Sequence, residues 1–271
     1  MMPEALHAFF ERDDATVQAD AGFAHFHAAL LDALETGLVR AANRGDDGVW
    51  HTHVWVKRAI LAGFRHSAVV QMPGPGFPFF DKAAYPPRVF SAEDQVRLVP
   101  GGSAVRRGAH LAKGVVVMPP AFVNVGAWVG EGTMIDSHAL VGSCAQVGAR
   151  VHLSAGAQIG GVLEPAGARP VVVEDGAFIG ALSGVFEGVV VRERAVLAAG
   201  VILTAASVLH DLVHHRTWCG EVPAGAVVVP GSKSLHSEHA AGIGLSKSVP
   251  LIVKFRDSKT DAATALEQAL R

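Results

Sequence analysis

The sequence predicts an all-β core, a triangular prism of short parallel strands wound from hexapeptide repeats. A small α-helical domain precedes it and a short strand and helix extension follows. Two observations carry this reading. Ten successive sixth positions, Val105, Leu111, Val117, Val123, Val129, Ile135, Val141, Val147, Leu153 and Ile159, are all Val, Leu or Ile. The position four residues after each of the first nine is small or slim: Ala109, Val115, Ala121, Ala127, Thr133, Ala139, Ala145, Val151 and Ala157. A helix repeats every 3.6 residues and a simple strand every two, so neither counts in sixes. A short strand followed by a sharp corner does, when three hexads close one coil and the next coil stacks upon it.

Taken in chain order, residues 1–70 read as the helical domain. Apolar residues recur at helical spacing in FAHFHAALLDALETGLVRAA (23–42), which NRGDDG closes, and again in HVWVKRAILAGF (53–64). Residues 71–104 form a connector, and its QMPGPGFPFFDKAAYPPR (71–88) holds too many Pro and Gly for regular structure. Residues 105–230 are the prism. Its aliphatic sixth positions fill the interior, and the small residue four later faces inward near a corner, where a large side chain would overfill a packed core. Glycines such as Gly126 and Gly132 let the corners adopt positive φ.

LEPAGARP (163–170) interrupts the count, which resumes in a shifted frame at Val173, Ile179, Val185, Val191, Leu197, Leu203 and Leu209. A shorter echo follows at Val222 and Val228. The prism is therefore expected to run from 105 to 209 with a break only around 164–170. At about 4.8 Å per coil, roughly six to seven coils make a column on the order of 30 Å long. The period says nothing of handedness. In residues 231–271, LSKSVPLIVKF (245–255) reads as strand, and DSKTDAATALEQALR (257–271) as a terminal helix capped by Ser258 or Thr260.

Composition agrees with one globular chain. The 271 residues are 50% hydrophobic with 30 Gly and a net charge of −2, which offers no electrostatic footprint for nucleic acid or an anionic membrane. The two cysteines, Cys144 and Cys219, read as reduced thiols with packing roles, since nothing suggests a disulfide framework. No signal-like apolar segment and no 18-residue apolar span occurs, so neither export nor membrane insertion is expected and the location expected is cytoplasmic.

Several stretches together resemble the tetrahydrodipicolinate N-succinyltransferase family: VNVGAWVGEGTMIDSHALVGSCAQVGARVHLSAGAQIGGVLEP (123–165), GVWHTHVWVKRAILAGFR (48–65), FFDK (79–82) and VPAGAVVV (222–229). The resemblance covers nearly the whole chain. It implies a left-handed parallel β-helix, a homotrimer, and active sites in clefts between neighbouring subunits. The activity it implies is transfer of succinyl from succinyl-CoA to the amine of a ring-opened dicarboxylic amino acid.

Such a reaction needs a base for the acceptor amine, fixed donors for the oxyanion, and both substrates held in one cleft. By the resemblance, Asp136 in TMIDSH holds the acceptor and acts on its proton; it follows the inward Ile135 and so points outward. The bland alternative is a solvated corner aspartate. Arg97 in VRLVPGG matches an arginine that binds the acceptor's carboxylate, with Arg106 and Arg107 as alternatives because the local match carries one inserted residue. Ser143 is also placed with the acceptor.

The chain departs from the family where that family carries Gly-Ala-Arg-Ser-Glu. Here GALSG (180–184) puts Leu182 in place of the arginine and Gly184 in place of the second catalytic carboxylate. Glu187 is one candidate substitute. His138, standing where the family usually has Trp, is another, because histidine titrates nearest neutral pH. For His138 the even alternative is a surface histidine filling the gap left by a tryptophan. Small residues Ser183, Ala198 and Gly200 are expected to border a groove for the pantetheine arm of CoA, and Lys233 to meet a CoA phosphate unless it is an ordinary surface lysine.

Two rival classes stand beside this one. Fourteen histidines invite a zinc reading, but His110, His138 and His152 fall on different faces when hexads are counted in threes, so no metal is expected. A noncatalytic scaffold would fit the loss of a carboxylate at Gly184. Within the acyltransferase class, the alternative is a relative in tabtoxin-like biosynthesis that uses acetyl-CoA or a modified acceptor.

Overall fold

The computed structural model describes residues 1–73, 78–257 and 259–261. Its centre is a left-handed parallel β-helix of two-residue strands arranged on three faces. Face I runs Arg97–Leu98, Val116–Val117, Met134–Ile135, His152–Leu153, Phe178–Ile179 and Val196–Leu197, and closes on the long strand Ala226–Ser234. Face II stacks Ala104–Val105, Phe122–Val123, Leu140–Val141, Gln158–Ile159, Gly184–Val185 and Ile202–Leu203. Face III stacks His110–Leu111, Trp128–Val129, Gln146–Val147, Val172–Val173, Val190–Val191 and Glu221–Val222.

The second residue of each of these strands from Val105 to Leu203 is an aliphatic sixth position, and all of them are buried in one continuous core with the small residues four later. The two series are the two halves of one packing unit. Thr133 and Ser183 occupy the second position as well. Each hydroxyl donates to a carbonyl of the next coil, Gly148 and Ala198 respectively, and accepts an N–H from Val151 and Val201. A buried hydroxyl survives there because both its donor and its acceptor capacity are used.

The structure departs from the sequence reading in several places. The stack begins at Arg97–Leu98, one hexad before Val105 and inside the stretch read as connector. Within that connector, Val69–Met72 and Phe79–Lys82 pair as an antiparallel hairpin despite the surrounding Pro and Gly. Leu209 keeps its place in the core, but its strand leaves the prism. Val208–Asp211 folds back on Arg216–Cys219, and the next face III strand is Glu221–Val222. A further difference is the terminal cap: Asp257, rather than Thr260, accepts the N–H and hydroxyl of Thr260, while Ser258 and the expected helix beyond 261 lie outside the described residues.

Four helices precede the prism: α1 (Pro3–Phe10), α2 (Asp14–Ala19), α3 (Phe23–Glu35) and α4 (Val54–His66). Helix α3 stops short of the expected 42, because Gly37 takes φ +80 against the Trp128 ring. The polar run NRGDDG then turns a hairpin between Ala42–Arg44 and Trp50–Thr52. The helices share an apolar core that includes Val125 and Cys144 of the prism, so this unit is seated on face III and the edge between faces II and III. Lys57 of α4, fully buried, donates from Nζ to the carbonyls of Pro165 and Ala168 and so fastens the 163–170 interruption to the helical unit.

Candidate functional site

The chemistry-bearing residues sit at corners. A corner residue belongs to no ladder, so its side chain and one of its amides are left for other uses. Along the edge between faces I and II, successive coils stack Ser137–His138, Ala155–Gly156, Ala181–Leu182 and Ala199–Gly200. The second amide of each corner donates to the coil below, as in His138 to Pro120, Gly156 to Ser137, Leu182 to Ala155 and Gly200 to Ala181. The first amides of Ala181 and Ala199 meet no acceptor among the described residues. They form a row of N–H groups facing away from the core.

Asp136 opens this edge. Its backbone N–H continues the ladder to Leu153, and its Oδ1 accepts the N–H of Ser137 at 2.7 Å, which fixes the carboxylate outward. Oδ2 has no partner among the described residues. His138 lies two residues on, exposed, at φ +63. Leu182 is 72% exposed on the same edge and leans over Gly156, where an added Cβ would meet its methyl at 2.8 Å. Gly200 takes φ +77 and has open space around it. Asp136, His138, Leu182, Ala198 and Gly200 thus share one edge.

Other expected site residues lie elsewhere. Ser143 is only 8% exposed and occupies the edge between faces II and III, next to the buried Cys144 on which the helical unit packs. Burial pushes the Cys144 thiol up to about 12, so it is no nucleophile. Glu187 is on that second edge too, exposed, with Oε2 accepting the N–H of Ala205. It stands two coils above Asp136, about 10 Å along the axis. Ser183 is fully buried and its hydroxyl closes the corner, so it gives no donor to a CoA groove. Lys233 is exposed on the part of the long strand that extends past the prism, opposite Lys247.

Arg97 is exposed on face I, two strands below Met134 and therefore about 10 Å along the axis from Asp136. The alternatives are committed to other partners. Arg106 pairs with Asp81 and donates to Asn124, and Arg107 pairs with Asp32. Both fasten outlying segments to the base of the prism.

The departure at Gly184 has a structural counterpart that the sequence did not reveal. The Phe186 ring and Ile202 occupy the ground in front of Gly184, and an added Cβ would meet the ring at 2.4 Å. Face II exposes two large apolar side chains, Phe122 at 38% and Ile202 at 52%, with half-buried Leu140 and Gln158 and buried Gly184 between them. Its two borders carry Asp136 on one side and Glu187 on the other.

A left-handed β-helix of hexapeptide repeats, with Asp136 and Glu187 on the two edges of one face, fits an acyltransferase of the hexapeptide-repeat class. Two sequence profiles match within the chain: "Tetrahydrodipicolinate N-succinyltransferase N-terminal" at residues 2–66 and "Hexapeptide repeat of succinyl-transferase" at residues 170–205. The chain is 44% identical over 254 residues to a 2,3,4,5-tetrahydropyridine-2,6-dicarboxylate N-succinyltransferase of Bradyrhizobium diazoefficiens, covering 89% of this chain and 88% of that one. A protein of the same name from Paramagnetospirillum magneticum is 43% identical over 274 residues, covering 97% and 95%, and one from Bordetella pertussis is 48% identical over 247 residues, covering 89% and 87%. A solved structure from Campylobacter jejuni, assigned as a 2,3,4,5-tetrahydropyridine-2-carboxylate N-succinyltransferase, superposes with TM-score 0.54 at 17% identity over 83% of this chain and 62% of its own, a likeness of fold. The chain belongs to the tetrahydrodipicolinate N-succinyltransferase family.

Proposed function

We propose that the chain transfers a succinyl group from succinyl-CoA to the amine of ring-opened tetrahydrodipicolinate, in a homotrimer whose active sites lie between neighbouring prisms. The observation that carries this reading is the placing of Asp136 and Glu187 on opposite borders of face II, where Phe122 and Ile202 are exposed. Threefold packing through face II would turn the Asp136 edge of one subunit toward the Glu187 edge of the next, a heterologous contact that closes into a ring. Each cleft would then hold Asp136 from one subunit and Glu187 from the partner subunit.

In that cleft, Asp136 accepts a proton from the acceptor amine through its free Oδ2 as the nitrogen bonds to the thioester carbonyl carbon. The carbonyl oxygen takes up negative charge, and the outward amides of Ala181 and Ala199 supply donors for it and for the amide groups of the pantetheine arm. The C–S bond then breaks, the carbonyl reforms, and CoA leaves as a thiolate that takes a proton. Arg97 is assigned to an acceptor carboxylate and Lys233 to a CoA phosphate. A cytoplasmic location goes with these acyl-CoA chemistries and with two free thiols.

The direct test is a thiol-release assay crossing succinyl-CoA and acetyl-CoA with tetrahydrodipicolinate and 2-aminopimelate. Succinyl-CoA with tetrahydrodipicolinate is expected to turn over fastest; a preference for acetyl-CoA contradicts the donor assignment.

A further inference from the structure

A second cavity, of about 310 Å3, lies between the helical unit and the prism, one face-width from Asp136. Its lining includes Arg40, Trp50 and Trp128, with Asp175 and Glu193 at the corners between faces III and I; Arg44 also lines it, but is engaged by Glu174 at 3.8 Å and by the Gly48 carbonyl. The guanidinium of Arg40 lies 3.8 Å from the centre of the Trp128 ring, and its Nε donates to Gln146 at 3.0 Å. Its two terminal nitrogens meet no acceptor among the described residues; Asp175 attracts it through space but makes no ion-pair contact with it. Desolvation pulls its pKa down to about 10, with the Asp175 charge opposing that shift only in part.

The acidic residues are the complement. Asp175 Oδ1 accepts the N–H of Ala149, leaving Oδ2 without a partner, and the Glu193 carboxylate has none among the described residues. Glu174, buried in the lining, is already satisfied by Trp50, Arg192 and the N–H of Glu193. With Arg44 and Glu174 engaged by each other and by their neighbours, Arg40, Asp175 and Glu193 are left to face a space of amino-acid size beside two indole rings, which matches a ligand that carries both charges and an apolar tail.

We propose that this cavity binds a free α-amino acid as its zwitterion, the carboxylate on Arg40, the ammonium on Asp175 and Glu193, and the side chain against Trp50 and Trp128. The site is separate from the acyl-transfer cleft and independent of the function proposed for it.

L-norleucine, hexanoate and pentylamine separate the charges: the first has both groups, the others one each. Calorimetry on the full-length protein is expected to show saturable binding of norleucine, with hexanoate and pentylamine at least about tenfold weaker, the value of one charge-assisted hydrogen bond. Glu193→Gln, an exposed change, is expected to weaken norleucine by about the same factor with acyl transfer unaltered, and Arg40→Gln to abolish it. Asp136→Asn is expected to bind norleucine as the unaltered protein does. The proposal is overturned by equal binding of the three compounds or by no binding. It is also overturned if binding is lost in Asp136→Asn but kept in Glu193→Gln, since norleucine would then occupy the acyl-acceptor site.

Discussion

Asp136 combines three features rarely found together at a corner: an outward side chain, one oxygen fixed by the next amide, and one oxygen left free. Its conversion to Asn keeps the shape and the Ser137 contact but removes the base. Asp136→Asn is therefore expected to lower kcat/KM by about 10²-fold with CoA affinity nearly unchanged, as steady-state kinetics and CoA titration would show. Unchanged activity would return Asp136 to the class of surface aspartates. Another single residue governs acid stability. His27 is buried, and its Nε2–H donates to Tyr85 Oη, which itself donates to the Ile60 carbonyl, so the ring is held neutral. Desolvation first, and then the nearby Arg107 charge, lowers its pKa from 6.5 to about 4. The unfolded chain takes up this proton first, so the stabilisation is complete above pH 6.5 and is lost as pH falls from there to about 4. The loss is on the order of a few kcal/mol, and His27→Gln, which retains a donor for Tyr85, is expected to flatten that part of a plot of melting temperature against pH.

The hexads were legible in the sequence because one element, strand plus corner, imposes two size rules at once, aliphatic inside the strand and small at the turn. What lay outside that rule was read less well. Leu209 satisfies the count, yet its strand departs from the prism, because a buried aliphatic residue can be supplied by a returning hairpin as readily as by a hexad. The 69–82 pairing escaped notice because its strands are only four residues each beside a Pro- and Gly-rich stretch of sequence. Ser183 shows how a small polar residue misleads: the sequence reads it as groove lining, and the structure uses it as an internal brace like Thr133. Asp136 and Glu187 were legible as candidates from motifs, but the rings of Phe186 over Gly184 and the Arg40 to Trp128 contact follow from no pattern in the sequence. The brace predicts its own test. Ser183→Ala leaves the buried Val201 N–H and Ala198 carbonyl without the bridge and is expected to cost about 1–3 kcal/mol in denaturant unfolding, with the KM for the acyl donor unchanged. Ser183→Thr, which restores the hydroxyl, is expected to keep most of the stability; a raised donor KM in the Ala variant would instead restore the groove assignment.

For the whole molecule, the distribution of cover is the deciding feature. The helical unit covers face III and, at Val125 and Cys144, the lower part of its edge with face II, while face II itself leaves Phe122 and Ile202 in solvent. Large apolar side chains exposed on one face are what an association surface presents. Ile202→Glu is expected to shift light scattering from trimer to monomer and to remove acyl transfer while the circular dichroism of the prism persists. A fully active monomer would show that one chain holds a complete site.

The central claim is that the catalytic cleft is shared between subunits, and complementation tests it most directly. Asp136→Asn and Glu187→Gln are each expected to be nearly inactive as pure trimers. In trimers reassembled from an equal mixture, a cleft is intact when it joins the unaltered Asp136 of one subunit to the unaltered Glu187 of its neighbour, which random assembly provides in about a quarter of clefts. Recovery of about a quarter of the unaltered protein's activity is the result expected from a shared cleft. No recovery in a mixture that native mass spectrometry shows to contain mixed trimers, or full activity of Glu187→Gln alone, would contradict it.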